Sequence, residues 1–342
     1  MAINVLVFEL KECEKPFFDN NNFSDMKITF FTESLNEKFL ETLSDEIIEN
    51  TNVISVINDS SITKNIINKF KNLRVISVRD REYDHVCMNT CEEKNIALIN
   101  ISDEGVKSAA QFILGLIISL VRQIIPANGV AELKEDSGYQ FIGRELSGLK
   151  LGIIGTSFIG AELCKLANAI NIKSIAYDLK PKQELIEKYQ LKYVSLKELA
   201  EQADIISLNA EYSPENYHLC GEEFFSDCKN GVYFVSTSKS EIIDYNALDK
   251  YIENGKMNGV ALDALPCKYM CKDCEELSEK IEPYNLECLK QTDYLNKFKK
   301  YKNVIMTPHI SHLTQDAIDS ALKKTFVNIK EALKGDKMCR II

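Results

Sequence analysis

A strand, a glycine turn, a helix and a second strand follow one another within residues 149–180. Residues 151–154 are a short apolar run, typical of a strand that is buried on both faces. Residues 155–160 (G-T-S-F-I-G) turn the chain into a helix, and a strand at residues 173–177 ends at Asp178. In this βαβ pattern the turn and the helix N-terminus hold a pyrophosphate, and an acidic residue about 20 positions later binds ribose hydroxyls. The stretch therefore predicts a dinucleotide-binding domain.

One position departs from the dinucleotide fingerprint. The fingerprint has the form G-x-G-x-x-G, and Ser157 stands where the second glycine belongs. That glycine lets the backbone approach the pyrophosphate, so a serine either crowds the phosphate or donates its hydroxyl group to it. The strand before the turn, the helix after it and Asp178, 23 residues past Gly155, nevertheless agree with one another. A dinucleotide site is favoured over a βαβ turn that binds nothing.

The composition excludes several other classes of protein. At 342 residues, of which 45% are hydrophobic, the chain is long enough for two domains with substantial cores. A net charge of −10 argues against a nucleic-acid-binding surface, which needs a basic face. The longest apolar segment, residues 109–121, covers 13 residues, whereas a membrane span needs roughly 20. We therefore expect a soluble, cytoplasmic protein with neither nucleic acid nor membrane as a partner.

The cysteines raise a separate question. There are 11 of them, an odd number, and the first residues look like a strand and not like an export signal; both features predict reduced thiols. Cys267, Cys271, Cys274 and Cys288 have spacings at which thiolates can hold zinc or an iron–sulfur cluster. A cysteine-bearing insert without a metal is the favoured alternative, so the sequence predicts no metal site.

Short strands and helices alternate along the chain. Strands are predicted at residues 4–10, 27–32, 53–56, 75–78, 97–100, 204–208, 232–236, 257–262 and 304–307. Apolar residues at helical spacing predict a long helix at residues 103–123 and a final helix at residues 315–333. Alternation of this kind predicts an α/β protein.

Further segments on both sides of the glycine turn carry a family pattern. They are Arg79 with Tyr83-Asp84-His85, residues 142–148 (I-G-R-E-L-S-G), 203–208 (A-D-I-I-S-L), 213–219 (S-P-E-N-Y-H-L), Ile243 with Asp244, residues 259–263 (G-V-A-L-D), 303–309 (N-V-I-M-T-P-H), and Leu313 with Thr314. Together, and in this order, they resemble the D-isomer specific 2-hydroxyacid dehydrogenase family, which includes D-lactate dehydrogenases.

The resemblance implies two doubly wound, Rossmann-like domains with parallel sheets and a cleft between the domains. Residues 1–102 plus 302–342 would form the substrate domain, and residues 103–301 would form the NAD-binding domain. Members of this family transfer a hydride between NAD(H) and a 2-keto or 2-hydroxy acid, and they usually form dimers. The resemblance therefore implies an NAD-dependent oxidoreductase that acts on CH–OH groups, a small-molecule substrate and a homodimer.

The resemblance also implies roles for particular residues. His309 stands at the acid/base position, where the chemistry needs a group that titrates near pH 7. Asp178 favours NAD over NADP, because a carboxylate repels a 2′-phosphate. Asp263 matches the residue that contacts the nicotinamide carboxamide. The implied cofactor-binding residues are Gly155, Ser157, Phe158, Ile159, Gly160, Asp178, Thr237 and Asp263.

The substrate side departs from the family pattern in several places. Lys239 stands at the arginine position, where it keeps the positive charge but loses the planar fork that pairs with a carboxylate. Lys268 replaces the glutamate that raises the pKa of the histidine, and Glu82 replaces a glycine that helps to hold the substrate. We therefore take Arg81 and Tyr83 as candidate substrate contacts.

Three functions fit this combination of features. The first is an NAD-dependent dehydrogenase in which His309 is the acid/base and Lys239 anchors and polarises the substrate. The second is an NAD(H)-binding homologue with little or no turnover, which acts as a sensor or binding module. In the third, Ser157 abolishes nucleotide binding and the protein is structural. The substrate itself stays open, because its selection depends on contacts in three dimensions.

Overall fold

The computed structural model describes residues 3–21, 23–81, 83–101, 105–128, 140–263, 293–294, 296–335 and 341. The chain forms two compact units: Met1–Gly105 together with Leu313–Ile342, and Val106–His312. Each unit contains one sheet whose strands pair in parallel, with helices between successive strands. The predicted class, α/β with two parallel-sheet domains, is confirmed.

The first unit contains a five-stranded sheet of order β2-β1-β3-β4-β5. Its strands are β1 (Ile3–Val7), β2 (Met26–Phe30), β3 (Val53–Val56), β4 (Val75–Val78) and β5 (Ala97–Ile99). Its helices are α1 (Lys15–Asn20), α2 (Glu37–Leu40), α3 (Asp45–Asn50), α4 (Lys64–Lys69), α5 (Met88–Glu93) and the C-terminal helix (Gln315–Lys334).

The central strands of this sheet are apolar because both of their faces are covered. β3 and β4 each read V-I-S-V, and every residue of both strands is buried. On one face, Ile54 and Ile76 share an apolar cluster with Ile66 of α4. On the other face, Val75 shares a cluster with Phe326 of the C-terminal helix. Such strands show a continuous apolar run in the sequence and no alternation.

A buried ion pair lies at the carboxyl end of β4. Arg79 Nε is 3.1 Å from Glu14 Oε1, and the two side chains are only 3% and 9% exposed. The guanidinium group also donates to Ser55 Oγ at 3.1 Å and to the carbonyl oxygen of Phe8 at 2.8 Å. Arg79 thereby connects β4 to β3, to the residue after β1 and to the segment before α1.

The second unit contains a seven-stranded sheet of order β12-β11-β10-β9-β6-β7-β8. Its strands are β6 (Lys150–Ile154), β7 (Lys173–Tyr177), β8 (Lys192–Tyr193), β9 (Ile205–Leu208), β10 (Val232–Ser236), β11 (Met257–Leu262) and β12 (Val304–Met306). Its helices are α6 (Val106–Val121), α7 (Ile124–Asn128), α8 (Ile159–Ala169), α9 (Gln183–Tyr189), α10 (Leu196–Gln202), α11 (Glu222–Asp227) and α12 (Tyr245–Glu253).

The chain returns to the first unit later than the sequence predicts. The predicted boundary at residue 302 lies before β12, but β12 extends the ladder of β11, with Val260 opposite Val304 and Leu262 opposite Met306. The second unit therefore runs to His312. Among the described residues, no helix is both long enough and apolar enough to cross a bilayer.

Candidate active site

The glycine turn lies where the order of the second sheet reverses direction. It follows β6, whose neighbours are β7 on one side and β9 on the other, and ligands of open parallel sheets bind at such a switch point. Gly155 has φ +85°, and a Cβ atom there would lie 2.7 Å from the backbone of Ala210. A Cβ atom on Gly160 would collide with the carbonyl oxygen of Gly155. Both positions therefore require glycine.

Helix α8 begins at this turn without a side-chain cap. Phe158 occupies the N-cap position and makes no capping hydrogen bond through its side chain. Ile159 opens the helix, and Ser157 is half-buried in the turn before it. The first N–H groups of a helix have no partner within the helix, and the helix dipole favours an anion there. The predicted cofactor residues Gly155, Ser157, Phe158, Ile159 and Gly160 thus lie together in one turn at the N-terminus of α8.

The carboxylate of Asp178 is held beside the same turn. Its Oδ2 accepts hydrogen bonds from the Thr156 N–H at 2.6 Å and from the Thr156 hydroxyl group at 2.8 Å. Its Oδ1 accepts one from the Lys180 N–H at 2.8 Å. Burial raises the pKa of Asp178, but hydrogen bonds from Lys180 and Thr156 outweigh burial and lower the pKa overall. Asp178 is therefore a fixed, ionised acceptor.

A second carboxylate, that of Asp263, supports the loop that carries His309. Asp263 follows β11 and is 0% exposed. It accepts hydrogen bonds from the Thr307 hydroxyl group at 2.6 Å, the Ile310 N–H at 2.9 Å and the Ser311 N–H at 2.8 Å. Burial raises the pKa of Asp263, but hydrogen bonds from Ser311, Thr307 and Ile310 outweigh burial and lower it. These donors flank His309 on both sides.

His309 itself has an unusual backbone conformation. Its φ of 57° lies in the left-handed region, which a residue with a side chain adopts only when its surroundings impose it. The His309 N–H donates to the carbonyl oxygen of Thr307 at 3.0 Å. The imidazole ring is half-buried, and its centroid lies 5.2 Å from that of His312, a neighbour that the sequence prediction did not include.

Lys239 stands at the same edge of the sheet. It is exposed, it follows β10, and it directly precedes a 3-10 helix at Ser240–Ile242. Ser238 fixes this loop by donating to the carbonyl oxygen of Leu208 at 3.1 Å. Thr237, a predicted cofactor residue, is half-buried beside it. Because β10, β11 and β12 are adjacent and parallel, the loops bearing Lys239, Asp263 and His309 leave the sheet at one edge.

The predicted substrate contacts Arg81 and Tyr83 belong to the first unit. The Arg81 N–H donates to Asp80 Oδ1 at 2.6 Å, and its carbonyl oxygen accepts from the Asn100 side chain at 2.8 Å. Tyr83 is half-buried against an apolar cluster of this unit. Both residues follow β4, at the carboxyl edge of the first sheet, where ligands of such sheets bind.

Several predicted positions lie outside the described residues. They are Glu82, Lys268 and the four cysteines Cys267, Cys271, Cys274 and Cys288. Within the part of the chain that the structure describes, no group of three or more His, Cys, Asp or Glu side chains is placed to hold a metal ion.

Comparison with known proteins assigns the family. Residues 114–311 match the family model of the D-isomer specific 2-hydroxyacid dehydrogenase, NAD binding domain. The chain belongs to the D-isomer specific 2-hydroxyacid dehydrogenase family. The matched span includes the glycine turn, Asp178, Asp263 and His309, so the predicted family and the predicted cofactor, NAD, are confirmed.

Relatives of this family member cover most of its length. The aromatic 2-oxoacid reductase of Clostridium sporogenes is 28% identical over 286 residues, which are 82% of this chain and 83% of the relative. The D-lactate dehydrogenase from Aquifex aeolicus, solved with NAD and lactic acid, has a TM-score of 0.73 at 27% identity and covers 97% of this chain and 96% of its own. A D-2-hydroxyisocaproate dehydrogenase matches the fold with a TM-score of 0.85 at 22% identity, over 99% of both chains.

The turn of this dehydrogenase-family chain fits a dinucleotide in spite of Ser157. A left-handed glycine, an uncapped helix N-terminus and an ionised carboxylate at the end of the next strand are all present. Pyrophosphate would bind at residues 155–160, and the ribose hydroxyls would donate to Asp178.

Sequence reasoning missed two hydroxyl groups that support Asp178. The Thr156 hydroxyl group lies 2.8 Å from the carboxylate and 2.9 Å from the Tyr193 hydroxyl group. Thr156 is an unspecified position of the fingerprint, and Tyr193 lies on β8, a strand of only 2 residues. Nothing in the local sequence pattern indicates that either residue supports the ribose acid.

Proposed function

We propose that this protein catalyses the NAD-dependent interconversion of a 2-keto acid and the corresponding 2-hydroxy acid. The observation that supports this proposal best is the rigid support of the His309 loop by the buried Asp263 carboxylate. A catalytic acid/base has to be held in one geometry relative to its substrate, and a hydrogen-bonded charge next to the loop serves that purpose.

His309 and Lys239 take the chemical roles in this proposal. NADH, when bound, supplies the hydride. His309 donates a proton to the substrate oxygen during reduction and accepts it during oxidation. Lys239 attracts the substrate carboxylate and polarises the carbonyl group as a point charge, with less geometric selectivity than an arginine would have. Arg81 and Tyr83 are the proposed contacts from the first unit.

The names of two relatives guide the choice of substrates to test. An aromatic 2-oxoacid reductase and a D-lactate dehydrogenase are both similar to this chain, so we propose aromatic and short aliphatic 2-keto acids as the first substrates to test. We also propose that the first unit is the substrate domain, and that the protein acts as a homodimer in the cytoplasm.

The direct test is NADH consumption with a panel of 2-keto acids, measured in wild type, His309→Gln and His312→Gln. We expect His309→Gln to lower kcat by at least about 100-fold, the usual contribution of a general acid. His312→Gln is the matched control, because it removes the neighbouring imidazole and leaves the proposed acid in place. Wild-type protein that binds NADH but consumes none with any 2-keto acid would refute the proposal.

An NAD(H)-binding module with little turnover is the second candidate. It is favoured by Lys239, because an ammonium group lacks the planar fork that a carboxylate matches. In that case Lys239→Arg combined with Lys268→Glu should raise activity from near zero. Efficient turnover by the wild type would exclude this candidate.

A further inference from the structure

A lysine from the loop after β7 reaches back to the glycine turn. Lys182 Nζ donates a hydrogen bond of 2.5 Å to the carbonyl oxygen of Ser157, which lies 25 residues earlier in the chain. The same ammonium group lies 5.6 Å from the ring centroid of Phe158, where cation–π attraction adds to the contact. Ser157 is the residue that replaces the second glycine of the fingerprint, so the lysine contacts the turn at its atypical position.

This contact fixes the direction of a backbone N–H group. No peptide bond among the described residues is cis, and in a trans peptide the carbonyl group and the following N–H group point in opposite directions. The ammonium group on the Ser157 carbonyl oxygen therefore fixes the Phe158 N–H so that it points away from Lys182, at the opposite edge of the same peptide plane. Phe158 is the N-cap residue of α8, whose N-terminus attracts an anion.

We propose that Lys182 is a positioning residue for the cofactor pyrophosphate. By binding the Ser157 carbonyl oxygen, it holds the Ser157–Phe158 peptide with the N–H group directed at the anion. A charged donor on the carbonyl oxygen also polarises the peptide, which makes the N–H group a stronger donor. In the fingerprint, a glycine at the position of Ser157 lets the backbone approach the pyrophosphate. Lys182 supports the same approach in this chain.

A chain of hydrogen bonds holds Lys182 and connects it to Asp178. The Lys182 N–H donates to the Tyr193 hydroxyl oxygen at 3.0 Å. The Thr156 hydroxyl group donates to Asp178 Oδ2 at 2.8 Å, and it lies 2.9 Å from the Tyr193 hydroxyl group. Because the proton of Thr156 is directed at Asp178, Tyr193 donates to Thr156. One hydrogen-bond network thus joins the Lys182 backbone, which places the ammonium group, to the Asp178 carboxylate, which binds the ribose.

The charge of Lys182 also allows a second role, and an experiment has to distinguish it from the positioning role. Burial raises the pKa of Asp178, and the hydrogen bonds from Lys180 and Thr156 lower it. The positive charge of Lys182 is close enough to lower the pKa further. A cation near the ribose acid can also attract the 2′-phosphate of NADPH. A positioning role affects every ligand that contains the pyrophosphate, whereas a 2′-phosphate contact affects NADPH alone.

Calorimetric titration of the full chain with NADH, ADP-ribose and NADPH distinguishes these roles. We expect Lys182→Met to lower the affinities for NADH and for ADP-ribose equally, by about tenfold, which is the scale of one charged hydrogen bond. Lys182→Arg, which keeps a cationic donor, should restore both affinities to within about threefold of wild type. The matched control is Lys180→Met, two residues earlier on the same loop, which keeps the backbone N–H that donates to Asp178 and should change both affinities by less than about twofold. Unchanged affinities in Lys182→Met, or a loss confined to NADPH, would overturn the proposal.

Tyr193→Phe tests the network separately from the charge. Removing the hydroxyl group should raise the KM for NADH by about threefold, the scale of one neutral hydrogen bond, and leave kcat at saturating NADH unchanged. A lower kcat with an unchanged KM would contradict the positioning role. The inference depends on NAD binding and not on the proposed reaction, so the titrations remain decisive in a protein without turnover.

Discussion

The hydroxyl group of Thr307 donates a hydrogen bond of 2.6 Å to the buried carboxylate of Asp263. Thr307 follows β12 and Asp263 follows β11, so the contact joins the carboxyl ends of two adjacent strands. The N–H groups of Ile310 and Ser311 donate to the same carboxylate. Asp263 therefore supports the His309 loop, a role that the sequence does not indicate.

Replacing this carboxylate should destabilise the protein. We expect Asp263→Asn to lower the free energy of unfolding by about 2–4 kcal/mol, because an amide offers one acceptor oxygen and turns its NH2 group toward buried donors. Urea denaturation measures the change. Thr307→Ser, which keeps the hydroxyl group, is the control and should cost less than about 1 kcal/mol. Equal stability of wild type and Asp263→Asn would show that the carboxylate does not hold the loop.

The same variant should reveal a pH dependence of stability. Burial raises the pKa of Asp263, but hydrogen bonds from Ser311, Thr307 and Ile310 outweigh it, so the pKa is lowered on folding. A carboxyl group of this kind stabilises the fold above its unfolded pKa of about 3.9 and loses that stabilisation as the pH falls through the folded value. The stability difference between wild type and Asp263→Asn should therefore be constant near neutral pH and shrink below about pH 4. A difference that grows on acidification would contradict this assignment.

The glycine turn should not tolerate a side chain at position 160. In Gly160→Ala the new methyl group meets the Gly155 carbonyl oxygen, and a backbone atom cannot move aside cheaply. We expect a loss of about 1–3 kcal/mol in stability and a loss of NADH affinity, measured by denaturation and calorimetry. Gly115→Ala on α6 is the matched control, since nothing lies within 4 Å of its Cβ position. It should stabilise the protein by about 0.5–1 kcal/mol, and similar losses in both variants would argue against the steric reason.

The buried ion pair of the first unit should contribute far more to the free energy of unfolding than an exposed ion pair does. Arg79→Met leaves the Glu14 carboxylate buried without its partner, which we expect to cost about 3–5 kcal/mol of unfolding free energy. Lys188→Met breaks a pair with Glu184 whose side chains are 61% and 67% exposed, and should leave the free energy of unfolding nearly unchanged. Adding Glu14→Met to Arg79→Met should recover part of the loss. Comparable costs for the two single variants would contradict the desolvation argument.

Several central strands of both sheets are predictable from the sequence because they are buried on both faces. β3, β4, β10 and β11 have the predicted bounds, since a continuous apolar run between polar turns identifies such a strand. Helices α1, α3 and α9, which have 6 or 7 residues each, are not predicted from the sequence.

The candidate site is predictable only where its parts are close together in sequence. Gly155, Gly160 and Asp178 belong to one βαβ unit, and its pattern specifies all three. Tyr193 contacts Thr156 over 37 residues, and Thr307 contacts Asp263 over 44. Those pairings depend on the order of strands in the sheet, which no local pattern encodes.

The return of the chain to the first sheet has a consequence for biosynthesis. Val5, Val75 and Ala97 share an apolar cluster with Phe326 of the C-terminal helix, so this face stays exposed until the segment Leu313–Ile342 has been made. The unit Val106–His312 is contiguous and is complete earlier. Domains generally fold as units while they leave the ribosome, the N-terminal one first. Here the middle of the polypeptide completes its fold first, and a released chain truncated after His312 should hold a folded cofactor-binding unit and an N-terminal sheet that still lacks the helix Gln315–Lys334.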